Sequence, residues 1–383
     1  MLTYVVYKLI RDWRSLRTGA GWRRWPFGPR TPRNITAAII VSLMTACLAA
    51  GTSECAAQFM FMPSVAFARQ NPTLPTPTLE QTQLIADFFY STDVDSFRFL
   101  AEVQVENSGA DVERLQVGWR FSPNVSLWLG RYHNPIGYWN VEHHHGHFME
   151  TSAERPQIIE FEDEGGPLPI HLVGGLLTGR HAIGDGSLHY DFGVAAGPRV
   201  QDGTFEPINV VDHPQLTKLA LVVRAAYRPD ATQDDQYGVS LARTNIPIQG
   251  SEYQEMQQDL AILYVGREFD RARVFGELFR VSQRLLEGPG PAWPSYWAGY
   301  VQGEYKIVPG TWTAFARYEA ISSRLTEDYI NQFPKLSKQR EIAGVRWDFY
   351  PNLALKLEYV RDVSPARITT NGIELQWSAM FHF

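Results

Sequence analysis

The chain has 383 residues, 44% hydrophobic and 20% charged, with a formal charge of −6 and a mean hydropathy of −0.24. That average excludes a bundle of membrane helices, each of which takes about 20 consecutive apolar residues. The charge excludes a nucleic-acid binder driven by overall basicity. A transmembrane β-barrel stays open, because alternating apolar and polar residues average to a soluble-looking value.

Between Met1 and Asn34 stand eight basic residues (Lys8, Arg11, Arg14, Arg17, Arg23, Arg24, Arg30, Arg33) and one acid, Asp12. Ile35–Ala50 follows, sixteen residues without a charge, and then the small residues Cys55-Ala56-Ala57 and Ala66-Phe67-Ala68. A basic stretch, an apolar core and a small-x-small exit read as a secretory signal peptide over 1–57, with 68 the alternative end. Cleavage after Ala57 suits the apolar core better; Ala68 has the better tripeptide. A membrane anchor would need a longer apolar run, and Met44-Thr45-Ala46 matches poorly what precedes a lipidated cysteine such as Cys47. Both cysteines, Cys47 and Cys55, fall in this leader, so the exported protein carries no disulfide. Removal of residues 1–68 takes eight of 35 basic and two of 41 acidic residues, leaving 27 against 39. The mature chain is acidic.

Residues 58–95, including the Pro/Thr run Asn71–Glu80, read as a periplasmic spacer without a core pattern. Beyond Asp95 strict alternation begins. Phe97, Phe99, Ala101, Val103 and Val105 oppose Arg98, Glu102, Gln104 and Glu106. Leu115, Val117, Trp119 and Phe121 oppose Arg114, Gln116 and Arg120. The same pattern recurs in Leu219–Tyr227, Ala343–Phe349 and Leu353–Tyr359, and in the final segment Ile373–Phe383. Strands of ten to fourteen residues exceed the usual five or six and match the 9–11 that a tilted strand needs to cross a bilayer. A sandwich would leave long apolar edges exposed, whereas a closed barrel in lipid has none. The expectation is an all-β fold: a transmembrane antiparallel β-barrel over 96–383 with about 14 strands, twelve and sixteen being the neighbouring even counts. Tight links at Ser122-Pro123-Asn124, Asp270-Arg271, Pro309-Gly310 and Tyr350-Pro351-Asn352 alternate with long ones at 137–169, 201–217, 286–296 and 325–339. Short periplasmic turns opposite long extracellular loops are the outer-membrane pattern. Trp119, Phe121, Trp347, Phe349, Tyr359, Trp377, Phe381 and Phe383 fall near strand ends as aromatic girdles.

Gly130-Arg131-Tyr132-His133-Asn134-Pro135-Ile136-Gly137-Tyr138-Trp139-Asn140 resembles the strand-to-loop passage of phosphate-selective-type porins, with their Gly-basic-aromatic-x-x-Pro-x-Gly. The resemblance implies a water-filled diffusion channel, often a homotrimer. A chain ending in Phe383 likewise resembles the terminal signal through which outer-membrane proteins meet the barrel-assembly machinery. Phosphate preference does not follow, since it depends on lumen cations and this mature chain is acidic.

The insertion 137–169 holds His143, His144, His145 and His147, then the acidic run Glu160, Glu162, Asp163 and Glu164. Folded inward, it would constrict the pore, its carboxylates facing Arg98, Arg120 or Arg224 across the lumen. The remaining basic wall candidates are Arg131, Arg346 and Lys356. Imidazole suits Zn, Cu or Ni, which makes His143, His145 and His147 the candidates for a metal. Adjacent histidines rarely reach one ion, however, so no metal and no cofactor is expected. Ser187, His189 and Asp191 share one strand face, but residues two apart on a strand lie about 6.6 Å from each other, too far for a nucleophile and base. No nucleophile elbow or phosphate-cradling glycine loop appears.

These readings converge on a passive porin in the Gram-negative outer membrane, in contact with lipid and lipopolysaccharide, conducting small hydrophilic solutes. It would be neither an enzyme nor a nucleic-acid binder. The alternatives are a closed structural or adhesion barrel and a channel specific for a metal or an anion.

Overall fold

A computed structural model describes residues 56–72, 79–107, 109–143, 146–162, 164–201, 204–210, 217–230, 234–249, 255–286, 295–322, 336–365 and 367–383. Residues 1–55 of the proposed leader, with Cys47 and Cys55, lie outside these residues, whereas Ala56 and Ala57 begin the first strand. No helix among them is long and apolar enough to cross a membrane. Nearly everything else is strand.

The strands are β1 (Ala56–Pro72), β2 (Leu79–Val94), β3 (Phe97–Glu106), β4 (Gly109–Ser122), β5 (Val125–His133), β6 (His171–Ile183) and β7 (Gly186–Ala196). A short hairpin follows, β8 (Arg199–Gln201) and β9 (Thr204–Glu206). Then come β10 (Leu219–Arg228), β11 (Gln236–Gln249), β12 (Glu255–Glu268), β13 (Ala272–Leu285), β14 (Tyr296–Val308) and β15 (Trp312–Ile321). The last are β16 (Gln339–Tyr350), β17 (Leu353–Val363), β18 (Thr369–Ala379) and β19 (Phe381–His382). Each long strand pairs antiparallel with the next, and β1 closes the ring on β18, from Ser64 opposite Ser378 to Pro72 opposite Thr370. Leaving out β8, β9 and β19, the ring has sixteen strands, not fourteen. Closure satisfies every strand edge within the sheet, the condition for crossing lipid.

The two additional strands, β1 and β2, occupy the stretch read as a spacer over 58–95. They are full barrel members, paired with each other from Ala56 opposite Asp93 to Gln70 opposite Leu79. Their alternation is masked: Ile85 and Phe89 are buried beside Asp87, while Leu84 is exposed, so apolar residues stand on both faces. Pro63 and Pro72 removed the rest of the signal, since proline donates no ladder hydrogen bond.

The outward face is apolar as expected, with Phe97, Trp119, Phe121, Leu221, Leu263, Trp347, Leu357 and Tyr359 exposed. Stacked Trp312 and Trp347 lie 5.2 Å apart near one rim. β19 adds Phe381 opposite Phe61, and Phe383 N–H donates to Phe59 O (2.9 Å), leaving the Phe383 ring outermost.

The inner face differs from the all-polar wall of the expectation. One buried apolar cluster joins Ile262, Tyr264, Phe275, Phe279, Val281 and Tyr300 on β12–β14 to Trp139, Ile158, Ile159 and Ile170. The latter belong to the connection between β5 and β6. Part of the interior is therefore a packed core rather than a hydrated wall. The tip of β5 is buried on both faces, with Arg131, Tyr132 and His133 all enclosed. It stays paired with β6 in the wall, so both of its faces are covered by protein.

Candidate pore constriction

Residues 134–170 form an inner loop carrying α1 (Trp139–Glu142), α2 (Gly146–Met149) and a single 3-10 turn at Gln157–Ile159. Its base is closed by Asn134 N–H on Ile170 O (2.7 Å) and the Asn134 amide on Pro169 O (2.8 Å). The glycines of the 130–140 motif have steric causes. Gly130 has φ +133°, and a Cβ there would meet Leu115 O at 2.0 Å. Gly137 has φ +72°, and a Cβ would sit 1.8 Å from Glu277 Oε2. Only glycine combines such backbone angles with such approach.

The near arm docks on β11 and β13. Gly137 N–H donates to Ser240 Oγ (3.1 Å), while Trp139 N–H (2.8 Å) and Tyr300 O–H (2.5 Å) converge on Glu277 Oε1. Trp139 then packs against Phe275 and Tyr300, with the Arg317 guanidinium 5.5 Å over its ring. The far arm is held by charge on backbone carbonyls. Arg346 donates to Phe148 O and Glu150 O (both 2.7 Å) and is oriented by Asp348 (2.8 Å). Lys356 donates to His147 O and to Ser152 O (3.0 Å). Glu358 accepts from Ala153 N–H (2.8 Å), Glu319 from Gln157 N–H (2.9 Å), and Arg340 pairs with Glu154. With Arg228 of β10 on Glu142 and the Gln376 amide of β18 on Ala153 O (3.2 Å), the loop is anchored on β10, β11 and β13 through β18, spanning the interior.

Each predicted residue has a definite place. His143 is buried among Tyr138, Trp139 and Phe275 and accepts from Arg273 (3.2 Å). It fills a core rather than lining a path. His147 Nδ1 lies 3.2 Å from both Ala153 O and Gln376 Nε2. His144, His145 and Asp163 lie outside the described residues. Glu162 is buried, accepting from Ile170 N–H (2.6 Å), His171 N–H (2.9 Å) and His171 Nδ1 (2.9 Å). Glu160 approaches Arg155 at 4.0 Å. Among the described residues, Glu160 and Glu162 therefore do not pair with Arg98, Arg120 or Arg224. Arg98 (3.0 Å) and Arg120 take Asp93 near a tight turn, and Arg224 takes Asp191 (2.9 Å) and Tyr264 (2.8 Å). Arg131 is enclosed, 3.6 Å from Asp111. Arg346 and Lys356 do point inward, but they hold the loop instead of facing water.

Ser187 Oγ and His189 Nε2 are 3.0 Å apart, closer than a strand's repeat allows for backbone positions, because the side chains lean together. Asp191 turns to Arg224 instead of His189.

Sequence reasoning missed Glu277, Arg317 and Glu319, inward polar positions that receive the loop, and placed Glu358 on the polar face without that role. Their signal was available, since each lies two residues from another buried inward residue.

Burial, with the Lys356 ammonium beside it, pushes the His147 imidazole down to about 4. Burial pushes the Glu150 carboxyl up to about 7, against the pull of Lys356. A raised carboxyl stabilises the docked arm fully below its unfolded value of 4.5 and loses that contribution as pH rises through about 7. Glu150→Gln is expected to flatten the thermal stability of the refolded protein over that window. His147 acts oppositely, its contribution lost only as pH falls through about 4.

No protein-family model matches this chain, and no curated protein is similar to it in sequence. Solved structures are similar in fold. The anion-selective porin from Comamonas acidovorans superimposes with a TM-score of 0.60 at 12% identity, over 86% of this chain and 100% of that one. OmpF of Salmonella typhi gives 0.56 at 12%, over 84% and 97%. The DcaP outer-membrane channel of Acinetobacter baumannii gives 0.56 at 12%, over 86% and 99%. The fold is that of the outer-membrane porins. The phosphate-selective kind suggested by the 130–140 motif is not confirmed by these likenesses.

On β2–β4 the wall meets the loop as well, with Gly146 approaching Asp87 and Met62. There the inward residues are polar, among them Asp87, Glu102, Gln104 and Gln116. Gln104, Glu106, Asp111, Glu113, Phe161 and Glu164 line a pocket at the long-loop end. Burial and the adjoining Glu160 hold the Glu164 carboxyl well above its usual range.

Proposed function

We propose that this protein is a passive outer-membrane porin for small hydrophilic solutes, narrow and favouring cations. The observation that carries the reading is the inner loop held across a closed sixteen-strand barrel. A purely structural barrel has no need to build a loop into its lumen on buried charge, whereas a diffusion channel sets its cut-off this way. The apolar cluster on β12–β14 fills one side, and what supports a path along β2–β4 is its polar inner face and the pocket bordered by Glu106 and Asp111 at its long-loop end. Charges of one sign at a mouth raise the local concentration of the opposite ion.

The loop-bearing end faces outward from the cell and the tight turns face the periplasm. Lipid and lipopolysaccharide meet the apolar outer wall, and the exposed Phe383 is the handle for barrel assembly. The homotrimer is the family's implication, tested by crosslinking in detergent. The segment before β1 is the exported leader. Cleavage after Ala57 leaves the β1–β18 ladder intact, whereas cleavage after Ala68 would remove its part from Ser64 to Ala68.

Planar-bilayer recording tests the reading. Discrete small steps with a cation-signed reversal potential in a salt gradient are expected. Glu106→Gln with Asp111→Asn should move that potential toward zero. A well-folded but silent barrel would overturn the proposal.

A further inference from the structure

We propose that Glu113, His133 and His171 form a binding site for a borderline divalent cation of the zinc type at the outer end of the barrel. The site is separate from His143 and His147 and does not depend on whether the pore conducts.

The three residues come from three successive strands at the point where the inner loop leaves and rejoins the wall. His133 ends β5 and pairs directly with His171, which begins β6. Glu113 lies on β4 two residues before Leu115, whose partner Arg131 lies two residues before His133. One rung of the sheet thus carries a carboxylate and two imidazoles. A donor atom from each lies within 4.8 Å of the other two, and His133 and His171 are both buried. Two imidazoles and a carboxylate are a donor set suited to zinc, with room for a further ligand.

The surroundings are arranged as they are around ligating histidines. Glu162 Oε2 holds His171 Nδ1 at 2.9 Å, which fixes the ring so that Nε2 faces Glu113 Oε2, 2.7 Å away. A carboxylate on the remote nitrogen is the usual orienting partner of a zinc-bound imidazole. Phe161 stacks on the outer face of the same ring, with centroids 5.4 Å apart. Glu102, held by Arg114 at 2.5 Å, brings Oε2 to 3.9 Å from His133 Nε2 and offers a nearby fourth donor. Glu102, Asp111, Glu113 and Glu162 gather here against the guanidinium groups of Arg114 and Arg131, so the local charge favours a cation. Glu113 also borders a pocket with Glu106, Asp111 and Glu164, the side from which the ion would approach.

Calorimetric titration of the refolded full chain in detergent with ZnCl2 tests the site, with MgCl2 as the hard-cation comparison. One zinc per chain is expected, with magnesium bound far more weakly. His133→Gln with His171→Gln should abolish zinc binding, and Glu162→Gln should weaken it by roughly 10–100-fold. A change of all of His143, His144, His145 and His147 to Ala should leave it intact. Barrel folding of each variant is verified by its heat-dependent electrophoretic mobility. Absence of zinc binding, equal binding of magnesium, or zinc binding unchanged in the folded double variant would each overturn the proposal. Conductance is not part of the readout, so failure here leaves the porin reading standing.

Discussion

Removal of residues 56–94 is expected to abolish the barrel outright. Without β1 and β2 the remaining fourteen long strands keep their mutual ladders, but β18 loses its partner from Thr370 to Ser378 and β3 loses β2. Two open edges would then stand in hydrocarbon, where each unsatisfied backbone group costs several kcal/mol. No side-chain adjustment offsets a deficit repeated along two strands. The readout is the mobility shift on boiling that folded outer-membrane barrels show, together with the β-signature in circular dichroism. A chain starting at Gln58 should fold and shift. One starting at Arg69, as cleavage after Ala68 would leave it, retains only the end of β1 from Arg69 to Pro72 and should not. A heat-modifiable barrel from the Arg69 start would show that β1 is dispensable.

The same two strands mark where the sequence became hard to read. The fourteen strands from β3 to β18, apart from the small hairpin, were legible, most of them because one face is apolar and the other carries charge. In β1 and β2 that contrast fails: Phe59, Phe61 and Val65 merge with the leader's apolar character, and Ile85 and Phe89 face inward. The interior core was hidden for a related reason. β12 and β13 are apolar on both faces, with Leu263 and Leu278 outside and Ile262 and Phe279 inside, and period two disappears when both faces agree. What covers the inner face is a loop distant in sequence. The 130–140 motif was legible as a motif, but its reason is steric: Gly137 must clear Glu277, 140 residues away. Arg346 and Lys356 were placed on the correct face with a different task, because their acceptors are backbone carbonyls of the loop, and no sequence pattern reveals those. The acidic run 160–164 was read as one unit, yet Glu162 turns into the core while Glu164 borders the pocket.

The far-arm anchors yield the other large expected effect: Arg346→Ala with Lys356→Met should enlarge the pore severalfold in single-channel conductance without unfolding the barrel. Four carbonyls of the inner loop, those of His147, Phe148, Glu150 and Ser152, are held by these two cations. Hydrogen bonds to charged groups contribute about 1.5–3 kcal/mol each, so the loss exceeds what the single turn of α2 retains on its own. The near arm keeps its attachments through Trp139 and Glu277, and the strand ladders of β16 and β17 do not involve the altered side chains. Release of one arm therefore swings the loop away from β16–β18 and widens the path, while heat-dependent mobility stays as in the parent. Arg361→Ala serves as the comparison, since Arg361 pairs with Glu341 (3.0 Å) in a half-exposed position. Such pairs contribute about 0–1 kcal/mol, and neither conductance nor stability should change. Unaltered conductance in the double variant would mean that the near arm and the remaining far-arm contacts of Glu319, Arg340 and Glu358 position the constriction, with the two cations serving only to satisfy the loop's carbonyls.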